Sequence, residues 1–526
     1  MTQRKLARNI TVMSIAVFIS RIFGLVRDQV MAYFFGLGYL NDAFNVAYNL
    51  PNLLRRLFGE GALSTAFVPI YNELGIKEGR KAQFKFALNV LSLLTLILSI
   101  LTFLGIILSP LLVRVLYPGL APHTSELAIK LSRIIFPYLF FIGLSSTMIA
   151  ILNSHDYFFM TGLSSALLNV GMIATVVLPW WFTGVSEEDL IIWAGWGVLL
   201  GGFLQSVINL PFLKNIGYSF RIIISLSGKY LKAMWRRLIP SIIGIGIRDI
   251  NMIADTLLAS FLSIGSITAL ALGNRLVQLP LGIFAISAGT AVLPLYSRNI
   301  TEKNYADLSE NLRFTSIMLA CIMLPVTAII AVFARDFVAI LFQHGAFDGL
   351  ATTMTYQALV YYALGLLFYS LNQTITPLFY ANKDTRTPVI VGAIMVGANI
   401  CLNIILMYFM ELRGLALATS VVAAINYWVL VVLLKRKLPE VHLSGQVRSI
   451  ILAGLISIGV YVAMYFGNRY VESQWLDLNP SRWMLFAKSF AFSVLAFIVF
   501  FALAELLKIS YIGQIRRTLW SKLLRR

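Results

Sequence analysis

Three apolar stretches of this sequence hold five arginines between them: Arg21 and Arg27 in the first, Arg55 and Arg56 in the second, Arg275 in a later one. An ionised group within a membrane span costs about 2.5–3.5 kcal/mol on insertion scales, so such groups usually face a bundle interior. The acids beside them are fewer: Asp28 and Glu60 at depth, and Asp42 at the outer mouth. The first cluster runs Ser20-Arg21-Ile22-Phe23-Gly24-Leu25-Val26-Arg27-Asp28. Its Arg21 and Asp28, seven apart, share a helical face, with Arg27 about 100° from Asp28. Arg56 and Glu60 are spaced to pair across one turn. The surplus is positive, and arginine favours fork-like contact with phosphate or carboxylate oxygens. This pattern points to a site for an anionic headgroup. The plainer reading is that the arginines tie helices together or snorkel at a boundary, strongest for Arg56 with Glu60 as partner.

A second set is of another character. Asp255 lies in the seventh apolar segment, Asn399 and Asn403 share a face of the eleventh, and Thr419 lies in the twelfth. One carboxylate with amide and hydroxyl oxygens suits a monovalent cation or a proton, although Asn within a span also serves as glue between helices. No phosphate-binding Gly-rich Lys-Ser/Thr loop and no His-Glu-x-x-His zinc motif occurs, so nucleotide hydrolysis and zinc hydrolysis have no signature here. The four histidines are scattered, and both cysteines sit in apolar runs, which leaves no cofactor or disulfide framework to expect.

These side chains need membrane-spanning helices to carry them. The chain of 526 residues is 59% hydrophobic and only 12% charged, with mean hydropathy +0.82. Soluble domains carry about 25% charged residues, so a soluble enzyme, a disordered chain and a nucleic-acid binder are all excluded. Apolar runs near the roughly 20 residues that a span requires number fourteen. They lie near 10–36, 42–72, 86–114, 129–152, 158–182, 190–213, 238–262, 267–297, 314–342, 353–380, 387–410, 414–434, 449–467 and 483–507. Pro51, Pro69, Pro280, Pro294 and Pro325 are the expected kink points. Arg4, Lys5 and Arg8 before Thr11–Ser20 resemble a signal peptide, but Arg21 ends that run and no small-residue cleavage site follows, so it reads as a retained first span.

Alternate connections hold most of the lysine and arginine, including the N-terminus, residues 73–85, residues 214–237 and the C-terminal tail. The positive-inside rule then puts both termini in the cytoplasm. Much of the net charge of +19 is therefore a topology signal that also favours anionic lipid. The tail from Ile509 to Arg526, with Ile512, Ile515, Leu519 and Leu523 on one face, reads either as an interfacial helix or as a basic stop.

The stretch Thr65–Tyr71 (TAFVPIY) recurs as Thr290–Tyr296 (TAVLPLY), and Leu116-Tyr117 recurs as Leu341-Phe342, both at an offset of 225 residues. Six spans separate the copies, so the two halves enter from the same side as parallel repeats, an arrangement of transporters. The expected organisation is all-helical: an N-terminal lobe of six helices over 1–220, a C-terminal lobe of six over 221–440, two further helices over 441–510 and a basic cytoplasmic tail over 511–526.

The motifs Ser20-Arg21 through Arg27-Asp28, Asn41-Asp42-Ala43-Phe44, Leu50-Pro51-Asn52-Leu53-Leu54-Arg55-Arg56, Glu60-Gly61-Ala62 and Phe67-Val68-Pro69 resemble the MurJ (MviN) family of lipid II flippases. Asn274-Arg275-Leu276, Leu279-Pro280 and Leu293-Pro294 resemble that family's eighth helix. The resemblance implies the fold of the multidrug, oligosaccharidyl-lipid and polysaccharide exporters, with two six-helix lobes around a central cavity. It implies transport of lipid II, the undecaprenyl-diphosphate-linked peptidoglycan precursor, across a bacterial inner membrane, by a monomer that is not an enzyme. It puts the cavity charges on Arg21, Arg27, Asp28, Asp42, Arg55 or Arg56, and Arg275, and a lipid-tail groove on segments thirteen and fourteen. A sodium site would fall on Asp255, Asn399, Asn403 and Thr419. There the sequence departs, since Asn403 stands where the family has a second acid, and coupling to sodium, to protons or to membrane potential stays open. A polysaccharide-lipid flippase or a cation-coupled drug exporter of the same superfamily is the nearest alternative; a drug exporter should carry surplus acids in its N-terminal cavity. A membrane enzyme on polyprenyl phosphates would need an interfacial cluster of acids or histidines, which is not seen. A scaffold without transport is the remaining class.

Overall fold

The computed structural model describes residues 3–55, 62–219, 221–442, 444–475 and 481–514. Every regular element among them is helical. The chain divides into two compact units, 1–268 with 345–347, and 269–344 with 348–526.

The first unit contains α1 (Gln3–Phe35), α2 (Tyr39–Arg55), α3 (Ala62–Lys77), α4 (Gly79–Leu116), α5 (Pro122–Ile135), α6 (Tyr138–Ser154), α7 (Phe158–Thr183), α8 (Glu187–Val207), the short α9 (Leu210–Asn215) and α10 (Lys229–Ala259). Its core gathers Phe67, Tyr71, Phe86, Leu94 and Leu139, with the Phe67 ring stacked on Phe86 at 5.7 Å. Helix α1 packs along α7, and α7 along α8. The α7–α8 approach depends on glycine: a Cβ on Gly171 would meet the backbone of Gly201 at 2.9 Å, so the missing side chains bring the backbones together. A bend of 40° separates α5 from α6. It falls at Pro137, whose ring withholds an amide and crowds the preceding turn. This break was not among the expected kink points.

The second unit begins within α11 (Ser266–Pro280), which is followed by a π-helical turn (Leu281–Ala285) and α12 (Ile286–Thr301). The turn directly follows Pro280, where the missing amide frees a carbonyl and lets the ladder slip by one residue. Pro325 does not break α13 (Tyr305–Phe342). The unit continues with α14 (Gly349–Ala363), α15 (Leu366–Ala381), α16 (Arg386–Met410), α17 (Leu412–Lys437), α18 (Ser444–Trp475) and α19 (Arg482–Leu506). One core lies around Tyr296, Leu371, Phe379 and Leu434. A second, with Ile317, Phe333, Ala453 and Phe500, seats α18 and α19 on α13. Side-chain caps start several helices: Asn304 accepts from the amide of Asp307, Asp348 from Ala351 and Ser481 from Met484.

The repeat seen in seven residues extends through the helix boundaries. Both α4 and α13 are 38 residues long, and both α3 and α12 are 16. Shifting α1 and α2 by the same offset lands them on α10 and α11. By contact, α10 groups with the first unit and packs on α3 and α4. Each of the fourteen apolar segments falls on a helix or on consecutive helices. By length and apolarity, nine helical stretches among the described residues can cross a bilayer, and a tenth counts if α5 and α6 form one span. The all-helical expectation is met, whereas the count of fourteen membrane-spanning helices is not reached among the described residues by length and apolarity. Helices α2, α3, α14 and α15 are each 17 residues or fewer, and α1 carries Arg21, Arg27 and Asp28 along its length.

At the connection from α15 to α16, Asp384 accepts the amide of Thr387 at 3.1 Å and its hydroxyl at 2.7 Å, and pairs with Lys437 at the end of α17. Burial pushes this carboxyl up, but the Lys437 ammonium and the two Thr387 donors outweigh it and hold the group at about 2, below its ordinary 3.8. A depressed carboxyl pKa stabilises the fold above the unfolded value, and that share is lost as pH falls through the folded value. Thermal melts should thus show a contribution that is constant above about pH 4 and fades toward pH 2. In Asp384→Asn that contribution should be absent at every pH.

Candidate functional site

Helix α1 sets the first cluster. Its Ser20 lies against α7, where the Ser165 hydroxyl donates to Ser20 Oγ at 2.9 Å and Asn169 Nδ2 to the Ser20 carbonyl at 3.4 Å. Two turns on, Arg27 and Asp28 are both buried. Arg27 turns back on its neighbour: Nε and Nη2 both donate to Asp28 Oδ1, at 3.1 and 2.7 Å. Tyr48 and Tyr138, whose rings lie 6.4 Å apart, face the same guanidinium. Only part of the five-donor fork is taken up by one carboxylate oxygen, so the remaining donors suit a second, multi-oxygen anion. Arg21 is exposed, although Asp28 shares its helical face. On α2, Arg55 is half-buried and its Nε donates to Asn52 Oδ1 at 2.7 Å. The expected pair Arg56 and Glu60 lies outside the described residues.

Asp42 serves another purpose in this structure. Its carboxylate accepts the amides of Gly265 at 2.6 Å and Thr268 at 3.0 Å, and the Thr268 hydroxyl at 2.7 Å. It covers the orphan amides at the start of α11, where negative charge is favoured by the helix dipole. Asn45 Nδ2 reaches Thr268 Oγ1 at 3.0 Å, and Asn41 Nδ2 reaches the Gly36 carbonyl at 2.9 Å. Asp42→Ala should cost about 1–2 kcal/mol as a lost cap, with Asp42→Asn in between because one oxygen survives. Melting of the purified protein checks this; equal stability of all three forms would remove the capping role.

In the second unit, Arg275 is exposed on α11 beside Asn274 and Gln278, which bond each other at 3.4 Å. The possible cation ligands are divided. Asp255 belongs to the first unit and accepts from Asn251 at 3.4 Å, whereas Asn399, Asn403 and Thr419 belong to the second. Asn399 and Asn403 are buried, and Asn403 Nδ2 donates to Asn399 Oδ1 at 2.8 Å. The Thr419 hydroxyl donates to the Leu415 carbonyl at 3.2 Å. Among the described residues, no group of three His, Cys, Asp or Glu side chains gathers as a metal site. The set offers one carboxylate and otherwise neutral oxygens.

One ionic cluster was not anticipated. Lys488 of α19 is buried and pairs with Asp336 of α13 at 2.9 Å and Glu472 of α18 at 2.8 Å. Ser489 donates to Asp336 at 3.1 Å, and Asn468 to Glu472 at 3.2 Å. Part of the signal was present in the sequence, as Asp336 and Lys488 within the apolar runs 314–342 and 483–507, with Glu472 just beyond the run 449–467.

A family model described as "Lipid II flippase MurJ" matches residues 31–486. The chain belongs to the MurJ family. Its probable-MurJ relatives include that of Bdellovibrio bacteriovorus, 30% identical over 98% of this chain and 97% of the relative. That of Rickettsia prowazekii is 31% identical over 96% and 98%. These alignments take in nearly the whole chain, whereas Ser20, Arg21, Arg27 and Asp28 precede the stretch that the MurJ model matches. The solved structure "Lipid II flippase MurJ, inward closed conformation" superposes with a TM-score of 0.76 at 28% identity, covering 93% of this chain and 98% of that one. An inward-facing MATE-family multidrug transporter shares the fold at 17% identity and a TM-score of 0.68. The family resemblance read from the motifs is thus confirmed, and the chain is a multi-pass protein of a bacterial inner membrane with the MurJ fold.

Proposed function

We propose that this chain is a flippase that carries lipid II from the cytoplasmic to the outer leaflet for cell-wall synthesis, and that it breaks no bond in doing so. The observation that carries the reading is Arg27, a buried guanidinium on an apolar helix with donors left over after pairing with one oxygen of Asp28. A diphosphate bears multiple charges and cannot cross hydrocarbon unaided, while its polyprenyl tail need never leave the bilayer. A protein that shields the head alone meets both demands.

In this proposal Arg27, Arg21, Arg55 and Arg56 bind the diphosphate, with Asp28 and Glu60 setting their orientation and Ser20 fixing α1. Arg275, in the second unit, is carried from the sequence as a phosphate-binding residue in its own right. Asp42 acts through the start of α11 and not by touching substrate. The site is exposed to the two sides of the membrane in turn, both termini lie in the cytoplasm, and the transporter works as a monomer among membrane lipids. The test is growth after depletion of a bacterium's own lipid II flippase. Rescue by this chain is expected; correct insertion without rescue contradicts the proposal.

Coupling to sodium is a separate proposal that rests on the sequence for Asp255, Asn399, Asn403 and Thr419; within the second unit the buried amide pair on α16 supports it. Asp255→Asn should change the dependence of transport on sodium or on membrane potential. An unchanged response to both rejects the cation site.

A further inference from the structure

A cavity of about 540 Å³ lies between α15, α17 and α18 of the second unit. Leu371, Val431 and Ile451 are among its apolar walls, and Lys435, His442 and Gln446 lie toward one end. From Tyr427 to Lys435 its α17 wall runs about 12 Å, at 1.5 Å rise per residue. The shape is that of a slot along the helices, greasy over its length and cationic at the end where α17 stops. It takes no residue from α19, so it is distinct from the face of α18 and α19 where the family resemblance places the substrate's tail.

Two features point to an occupant with a charged head and an apolar chain. The first is the balance of charge around the mouth. Lys435 has no carboxylate paired with it among the described residues, and Arg436 and Arg448 are exposed nearby. Lys437 is occupied by Asp384, and Glu440 is the opposing acid on the same connection, exposed and not among the lining residues. The second is Gln446, which lines the cavity, is 3% exposed, and has a side-chain oxygen with no hydrogen-bond partner. A buried amide oxygen left without a donor is costly, and a hydroxyl-bearing headgroup would supply one. Basic pockets between membrane helices at the lysine- and arginine-rich end are a recurrent setting for anionic lipid.

We infer that this cavity holds one anionic phospholipid of the adjoining leaflet: its acyl chain along Leu371 and Val431, its phosphate on Lys435, and a headgroup hydroxyl donating to Gln446.

Native mass spectrometry of the full-length protein, delipidated and then titrated with phosphatidylglycerol or phosphatidylcholine, tests this. The wild type should retain one phosphatidylglycerol with at least fivefold preference over phosphatidylcholine. Lys435→Glu should lose that preference. Ile451→Trp, at an exposed lining position where the larger ring fits without disturbing the core, should cut retention of both lipids at least fivefold while the protein stays monodisperse. Equal retention in all three proteins, equal binding of the two lipids by the wild type, or displacement of the bound lipid by lipid II would each overturn the inference. The last result would assign the cavity to the substrate and leave the flippase reading intact.

Discussion

Arg27→Ala should abolish growth rescue while the protein still inserts and purifies. The guanidinium lies in an apolar helix and gives two donors to one oxygen of Asp28. Hydrogen bonds to a charged group contribute about 1.5–3 kcal/mol each. Losing two to a diphosphate removes about 3–6 kcal/mol, or a factor of about 10²–10⁴ in affinity. Arg27→Lys should fall close to alanine, because an ammonium keeps the charge but cannot serve Asp28 and a phosphate in one planar fork. A purely structural role for the pair would give a different result. In that case the neutral double variant Arg27→Met with Asp28→Asn, which removes both charges together, restores rescue. If Arg27 binds the diphosphate, the double variant stays inactive, since no cation remains there to meet the substrate.

The second large effect is expected at Lys488. Alanine there leaves Asp336 and Glu472 facing each other without their shared cation, beneath the packing of α18 and α19 on α13. Removing one member of a buried ion pair typically costs about 3–5 kcal/mol. Glu472 is half exposed, so a value of about 3 kcal/mol is expected, read as a fall in melting temperature and as early proteolysis of the α18–α19 pair. Replacing all three, with Lys488→Met, Asp336→Asn and Glu472→Gln, should recover most of that loss, because the uncompensated charge disappears. A triple variant as unstable as Lys488→Ala would show that packing at Lys488, and not its charge, holds the helices.

Much of this was written in hydropathy. The fourteen segments, the repeat and the arginines within apolar runs depend on local composition and on spacing, and the helices fall where those signals stand. Partner choice was less legible. Arg21 and Asp28 share a face by periodicity, yet Asp28 is paired with its chain neighbour, because a long side chain can fold back along its own helix. Asp42 was read as a mouth charge; its partners lie 223 and 226 residues away, a pairing that only the docking of the start of α11 beside α2 creates. The Lys488 cluster shows the same limit. Each charge was visible alone, but α13, α18 and α19 must first assemble on their apolar faces before the three can meet. Pro137 was missed as the bend between α5 and α6 because apolarity runs on past it. The packing of α10 was not legible either: by the repeat offset it is the counterpart of α1, and it packs on α3 and α4.

The buried guanidinium of Arg27 is proposed to receive the diphosphate of a lipid during its passage, and transport across a defined bilayer tests that role most directly. Purified wild-type and Arg27→Ala proteins are reconstituted separately in liposomes with fluorescent lipid II in one leaflet. The rate at which a membrane-impermeant quencher gains access to the label is then measured. The wild type should move lipid II well above the protein-free rate, and Arg27→Ala should match the protein-free rate. Equal movement by both proteins, or none by either with both correctly inserted, would contradict that role.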